Sequence, residues 1–207
     1  MTPLATPTAA PYPTLRILLR VMAIVAWIVV LVVLWRVWRD PLSTAVTAAN
    51  NAYSESVASA AAQQAQLAAH PEDISRRNAL LGYYFGHDKT PAEQRAQVEQ
   101  VSWIIENAPD SPIASTPYAG IDKREDPAGY AQGLALWQAQ ARLHASDSRL
   151  LDNAARYAIV FSPAVSASLL SRAHALNLGS RDINGDLKLL AALQGARFAR
   201  RERLPGY

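Results

Sequence analysis

The stretch that most limits how this chain can fold is residues 17–38, ILLRVMAIVAWIVVLVVLWRVW. No residue between Val21 and Trp35 carries a charge. As a helix the 17–38 run would be roughly 33 Å long at ~1.5 Å per residue, and a bilayer core is about 30 Å thick. Arg20 and Arg36 stand close enough to the ends for their guanidinium groups to bend out to the headgroups. Arg16 and Arg39 lie just beyond them, with Trp35 and Trp38 at one end and Tyr12 near the other, where amphipathic rings favour the interface. The expectation is a single transmembrane anchor helix over 15–39, preceded by a tail at 1–14. Its membrane-interface anchors are Arg16, Arg20, Trp35, Arg36, Trp38 and Arg39. A cleaved signal peptide is the rival, because small residues follow at 43–49, STAVTAA. Arg36, Arg39 and Asp40 intervene, unlike a normal cleavage region, so the segment is expected to remain.

Charge follows the same division. Four of the 20 basic residues (Arg16, Arg20, Arg36, Arg39) fall in the first 39 positions, where there is no acid. The rest, 16 basic against 17 acidic, carries a formal −1 although the whole chain is +3. A nearly neutral body lacks the clustered basic footprint that nucleic acid requires, so no nucleic-acid partner is expected. The arginines balance across the anchor, and the positive-inside rule is nearly silent. The short acid-free tail, and the lack of Lys or Arg between Arg39 and Arg76, favour the body outside the cytoplasm. The expected location is a bacterial-type inner membrane, with the C-terminal domain on the periplasmic side. The chain has no cysteine, which excludes disulfides, thiolate metal sites and a cysteine nucleophile.

Residues 43–70 are rich in Ala and Gln and free of Gly and Pro. Alanine is the best helix former, so 40–70 reads as one long helical stalk. From 71 onward the helix starts become regular, each with a capping residue and often Pro in the first turn. One starts at Pro71. Thr90, Pro91 and Glu93 form a capping box. Asp126–Pro127, Asp147 or Ser148, and Ser162–Pro163 open three more, and the stretch from Arg181 opens the last. No run alternates with the period of a strand. The expected class is all-α, with antiparallel helical hairpins over 71–207.

Within 148–178, Leu150, Ala154 and Tyr157 mark one helix, and Ser166, Leu170 and Ala173 mark the next. Small residues let helix backbones approach, and large ones fill the groove between pairs. This pattern resembles a tetratricopeptide-type (TPR-like) helical repeat. A more divergent unit lies at 71–109 and an irregular Pro/Ser/Asp-rich segment at 108–125. The resemblance implies a short α-solenoid whose concave face binds peptides or proteins. Aromatic anchors for such a partner are Tyr83, Tyr84, Trp103, Tyr130, Trp137 and Tyr157; core filling is the competing role for each.

Little else looks like chemistry. Asp182, Asn184 and Asp186 alternate as oxygen ligands do in a calcium loop, but Leu187 and Leu193 occupy the positions of the turn glycine and the closing carboxylate. The expectation is that one of the three caps the last helix. His87 beside Asp88 reads as an exposed loop pair. His70, His144 and His174 lack partners at metal spacing, and the nucleophile-elbow, zincin and P-loop motifs are missing from the sequence. Arg197, Arg200, Arg201 and Arg203 give a basic end that suits a helix C-terminus, with anionic lipid as the functional alternative. No catalytic residue, cofactor, metal or small-molecule substrate is expected. The expected role is a non-enzymatic scaffold or accessory protein that holds a protein partner at the bilayer. The alternative is a structural subunit of an integral membrane complex, packing through its transmembrane helix and stalk.

Overall fold

The structure, a computed structural model, describes residue 22, residues 26–30 and residues 41–202; within the last stretch, side chains are described for 44–196. It is all-helical, with no strand among the described residues. The chain divides into two units, Met1–Pro41 and Leu42–Tyr207. In the first, residues 26–30 are helical, and Trp27, Ile28, Val29 and Val30 are exposed. Among the described residues no helix is long and apolar enough to cross a membrane. Most of the expected anchor, including Arg16, Arg20, Trp35, Arg36, Trp38 and Arg39, lies outside them.

The second unit is built from α1 (Pro41–Ala52), α2 (Val57–Ala69), α3 (Ile74–Gly86), α4 (Pro91–Asn107), α5 (Pro127–Leu143), α6 (Ser148–Ala158), α7 (Pro163–Leu176) and α8 (Arg181–Glu202). Two 3₁₀ turns, Pro112–Ser115 and Pro117–Ala119, interrupt the path from α4 to α5. From α2 to α8 each helix packs on the next in the chain. The α6–α7 hairpin is the most intimate, and Leu150, Ala154, Ser166, Leu170 and Ala173 are all buried.

Local chemistry sets most of these boundaries. Thr90 and Glu93 form the reciprocal capping box, with the Thr90 N–H donating to Glu93 Oε2 at 2.9 Å. The Thr90 hydroxyl and N–H also hold the Glu93 carboxyl below its ordinary range. Asp126 accepts from the Gly129 N–H at 2.8 Å to open α5. Asp147 accepts from the Arg149 and Leu150 N–H groups at 3.0 and 3.1 Å to open α6. α3 begins at Ile74 rather than Pro71, because Asp73 accepts from the Arg76 N–H at 3.1 Å and fixes the first turn there.

The single stalk helix expected over 40–70 is corrected. It is two helices, broken at 53–56, where Ser56 turns its hydroxyl to the Ser59 N–H at 3.2 Å and starts α2. Neither helix stands off the body. Ala45, Ala49 and Ala52 of α1 are buried, and Ala60 and Leu67 of α2 join Leu80, Tyr83 and Tyr84 in a small core of their own. Gly82 of α3 is what lets α1 in: a Cβ there would fall inside the Ala49 carbonyl. The irregular segment at 108–125 is likewise part of the core. Ile113, Ala114, Ala119 and Ile121 are buried with Leu81, Val101, Ile104, Trp137 and Leu151, and the two turns pack on α6 and α3.

Candidate partner-binding groove

The same insert builds one wall of an open groove of about 480 Å³. The other walls are the C-terminal end of α3 and the following loop, the C-terminal end of α6, and the first half of α8. Its apolar lining includes Phe85, Ile159, Val160, Phe161 and Leu189. Phe85, Val160 and Leu189 are each 47 % exposed, a large unburied fraction for apolar side chains.

Aromatic contacts fix the walls. Phe85 stands edge-on to Tyr118 at 5.1 Å between ring centroids and 6.4 Å from Tyr53. On the opposite side Tyr157 stacks on Tyr130 at 5.3 Å, and Phe161 meets Tyr130 edge-on at 5.5 Å. The Tyr157 hydroxyl donates to the Tyr130 carbonyl at 3.2 Å, and the Tyr130 hydroxyl donates to Ser162 Oγ at 2.9 Å. Gly133 leaves the space that the Tyr157 hydroxyl occupies. Burial raises both phenols above their ordinary pKa, so they remain neutral donors.

The charged groups of the groove are tied into the fold. Lys89 Nζ donates to the Tyr84 carbonyl at 3.0 Å and lies 3.5 Å from Glu125. Arg156 Nε lies 2.6 Å from Asp186 and 3.3 Å from Asp152, linking α6 to α8. Burial pushes the Asp152 carboxyl up to about 7; Arg156 opposes the rise, and Asp186 and Asp182 add to it. The arrangement offers an apolar trough with polar ends, the chemistry of a site that seats a side chain or a short peptide.

Of the six aromatic anchors read from the sequence, Tyr157 alone lines this groove. Tyr83, Tyr84, Tyr130 and Trp137 are buried core residues. Burial pushes the Tyr84 phenol up to about 12, and Gln64 donates to its hydroxyl. Trp103 of α4 is half-buried, with the buried Arg77 guanidinium of α3 4.0 Å over its ring. The residues that make the groove, Phe85, Phe161, Val160 and Leu189, were not among those expected. Phe161 has a local signal, an aromatic set between the end of α6 and the Ser162–Pro163 start of α7.

The other candidate motifs resolve locally. Ser180, not Asp182, Asn184 or Asp186, caps α8: its hydroxyl accepts from the Ile183 N–H at 3.3 Å. Asp182 lies in the first helical turn, Asn184 donates back to the Ser180 carbonyl at 2.7 Å, and Asp186 pairs with Arg156. His87 ends α3, its ring stacked on Tyr83 at 4.4 Å with Nδ1 2.9 Å from the Tyr83 carbonyl. The side chains of the basic end, Arg197, Arg200, Arg201 and Arg203, lie outside the described residues. Set against protein-family models, curated proteins and solved structures, the chain matches none.

Proposed function

We propose that this chain is a membrane-anchored scaffold or accessory protein, non-enzymatic, which holds a partner protein on a short TPR-like helical body. The observation that carries the reading is the groove between α3, the 112–121 insert, α6 and α8, where exposed Phe85, Val160 and Leu189 surround a ready-made trough. Apolar side chains gathered around a concavity are what a partner's anchor residue covers. The successive packing of helices and the small residues Ala154, Ser166 and Ala173 at the α6–α7 crossing support the repeat character. The groove's Lys89 and Arg156 are engaged by the protein's own groups, which favours recognition over catalysis. The 17–38 apolar run and the exposed Trp27, Ile28, Val29 and Val30 support an anchor over 15–39. The membrane in this reading is a bacterial-type inner membrane with the body on its outer side.

The test places a photo-crosslinking residue in the full chain, in native membranes, at Leu189, at Phe85, at exposed Leu143 or at Trp27. The expected result is one discrete adduct shared by Leu189 and Phe85 and missing from Leu143. Adducts confined to Trp27 would instead make the chain a structural subunit of an integral membrane complex. Full extraction of the chain from membranes by alkaline carbonate would remove the anchor from the reading.

A further inference from the structure

One wall of the groove rests on three charged side chains that bridge α6 and α8. Arg156 Nε is 2.6 Å from Asp186 Oδ2 and 3.3 Å from Asp152 Oδ2, so one guanidinium faces two carboxyl groups. Asp152 and Asp186 are also within side-chain hydrogen-bonding reach of each other. Their side chains are only 8 % and 14 % exposed. Asp152 Oδ1, Asp186 Oδ2 and Arg156 Nε are sealed from solvent, and none makes a well-directed hydrogen bond. Buried acceptors without a donor are costly and call for an explanation. An ionised carboxylate only accepts, whereas a protonated one carries an O–H. A single proton on the pair supplies the missing donor and brings the triad to zero net charge. Without it, two negative charges face one positive charge out of water, and the carboxylates repel.

The triad is placed to control the groove. α8 packs on α7 and sinks Ile183 and Leu190 into the core, and Asp186 between them is tied to α6 by Arg156. Asp186 and Leu189 stand three apart on one side of α8, and both line the groove with Arg156. We propose that the Asp152–Arg156–Asp186 triad is a proton-operated latch. Protonated, it seats the first half of α8 against α6 and completes the groove. Deprotonated, it lets Asp186 turn to water, and Leu189 leaves the groove wall with it. The latch is a property of the fold alone; its effect on partner binding rests on the scaffold reading.

The sign follows from the surroundings of Asp152. Burial raises its carboxyl to about 7, with Arg156 opposing the rise and Asp186 and Asp182 adding to it. Asp147 and Arg149 at the start of α6, Asp182 at the start of α8 and Asp110 after α4 lie around the neighbouring cleft. Of the other elements packed on α6, α5 carries Arg142, and α7 carries Arg172 and His174, towards their C-terminal ends. The first 3₁₀ turn carries no charge. The folded pair holds a proton that hydrated aspartates release. Latching is therefore complete below about pH 4 and is lost as pH rises through about 7.

Hydrogen exchange on the full-length chain in mild detergent, corrected for intrinsic rates, reads the latch without a partner. Between about pH 5.5 and about pH 8 the protection of the α8 amides should fall about tenfold or more. At the higher pH it should lie below that of α6 and α7. Asp152→Asn and Asp186→Asn each put an amide donor beside the remaining carboxylate, so either should hold α8 at both pH values. If one does not fold, the other decides. A photo-crosslinking residue at Leu189, in native membranes, should give several-fold less adduct at the higher pH. In Asp152→Asn it should give equal adduct at both, which sets aside titration of the partner itself. The latch is overturned if α8 protection does not change with pH, if α8 still exchanges in step with α6 and α7 at the higher pH, or if the folded variants respond as the parent does. Equal adduct from the parent at both pH values overturns its control of the groove. Release of α8 with no adduct at either pH keeps the latch and removes the scaffold reading.

Discussion

The α1–α3 crossing offers a test in which one substitution type takes opposite signs at two positions. Gly82 and Gly185 both lie inside helices, where replacing Gly by Ala lowers the cost of helix formation by about 1 kcal/mol. Around Gly185 a new Cβ meets nothing within 4 Å, so Gly185→Ala should stabilise by up to about 1 kcal/mol. At Gly82 the Cβ would collide with the carbonyl, C and Cα of Ala49, backbone atoms that cannot rotate aside. Overpacking of this kind costs about 1–3 kcal/mol. The upper limit is set by letting α1 come away, which would expose the buried methyls of Ala45, Ala49 and Ala52 at about 0.8 kcal/mol each. The colliding atoms are backbone, so the cost sits near that upper limit and outweighs the propensity gain, and Gly82→Ala should lose about 1–1.5 kcal/mol net. For a body of this size that is roughly a 2–6 °C fall in Tm. Urea and thermal unfolding read the two signs, and hydrogen exchange shows whether the amides of α1 lose protection first. A Gly82→Ala protein as stable as the parent, or more so, would refute the close approach of α1 and with it the packing of 41–52 against the body.

Four further outcomes follow from the same contacts. Thr90→Ala removes the capping box of α4 and should cost about 1 kcal/mol by urea unfolding. Tyr157→Phe removes the donor to the Tyr130 carbonyl and should also cost about 1 kcal/mol, with the helix content by circular dichroism unchanged. The Asp152 carboxyl is raised in the fold from 3.8 to about 7, so the folded state holds a proton that the unfolded chain releases. Its contribution is complete below about pH 4 and is lost as pH rises through about 7; the urea midpoint should fall across that window, and Asp152→Asn should flatten the fall. Leu189→Ala acts on an exposed groove side chain, so stability should stay within about 0.5 kcal/mol while the adduct at Phe85 is lost from crosslinked membranes.

Features set by neighbours along the chain were legible before the structure. Thr90–Glu93, Asp126–Pro127 and Asp147 open α4, α5 and α6 where their spacing predicts, because a cap is a bond between a residue and the next turn. The break between α1 and α2 was hidden. Ser56 caps α2 without a Pro or Gly beside it, and the surrounding alanines fit an unbroken helix as well as two short ones. At α8 the alternating acids have the spacing of ligands or caps, yet Ser180 just before them makes the bond. The groove was harder still. Phe85 and Leu189 occupy helices and do not differ in type from the core residues beside them; what brings them to one groove with the insert is tertiary packing between segments far apart in the chain. The four aromatics expected in the groove and found in the core, Tyr83, Tyr84, Tyr130 and Trp137, show the same limit from the other side.

Packing each helix against its chain neighbour also shapes how the body assembles. Contacts between segments close in sequence need only short loops to close, and loop closure is what slows folding. The α6–α7 hairpin, joined by the short connection 159–162, is the natural place for structure to begin and spread outward. The insert works against that independence. Asn153 of α6 donates to the Pro109 carbonyl at 2.9 Å, and the second 3₁₀ turn rests on α3, so the insert clasps early and late helices together. Cutting the chain within 112–121 should therefore turn one cooperative melting transition into two.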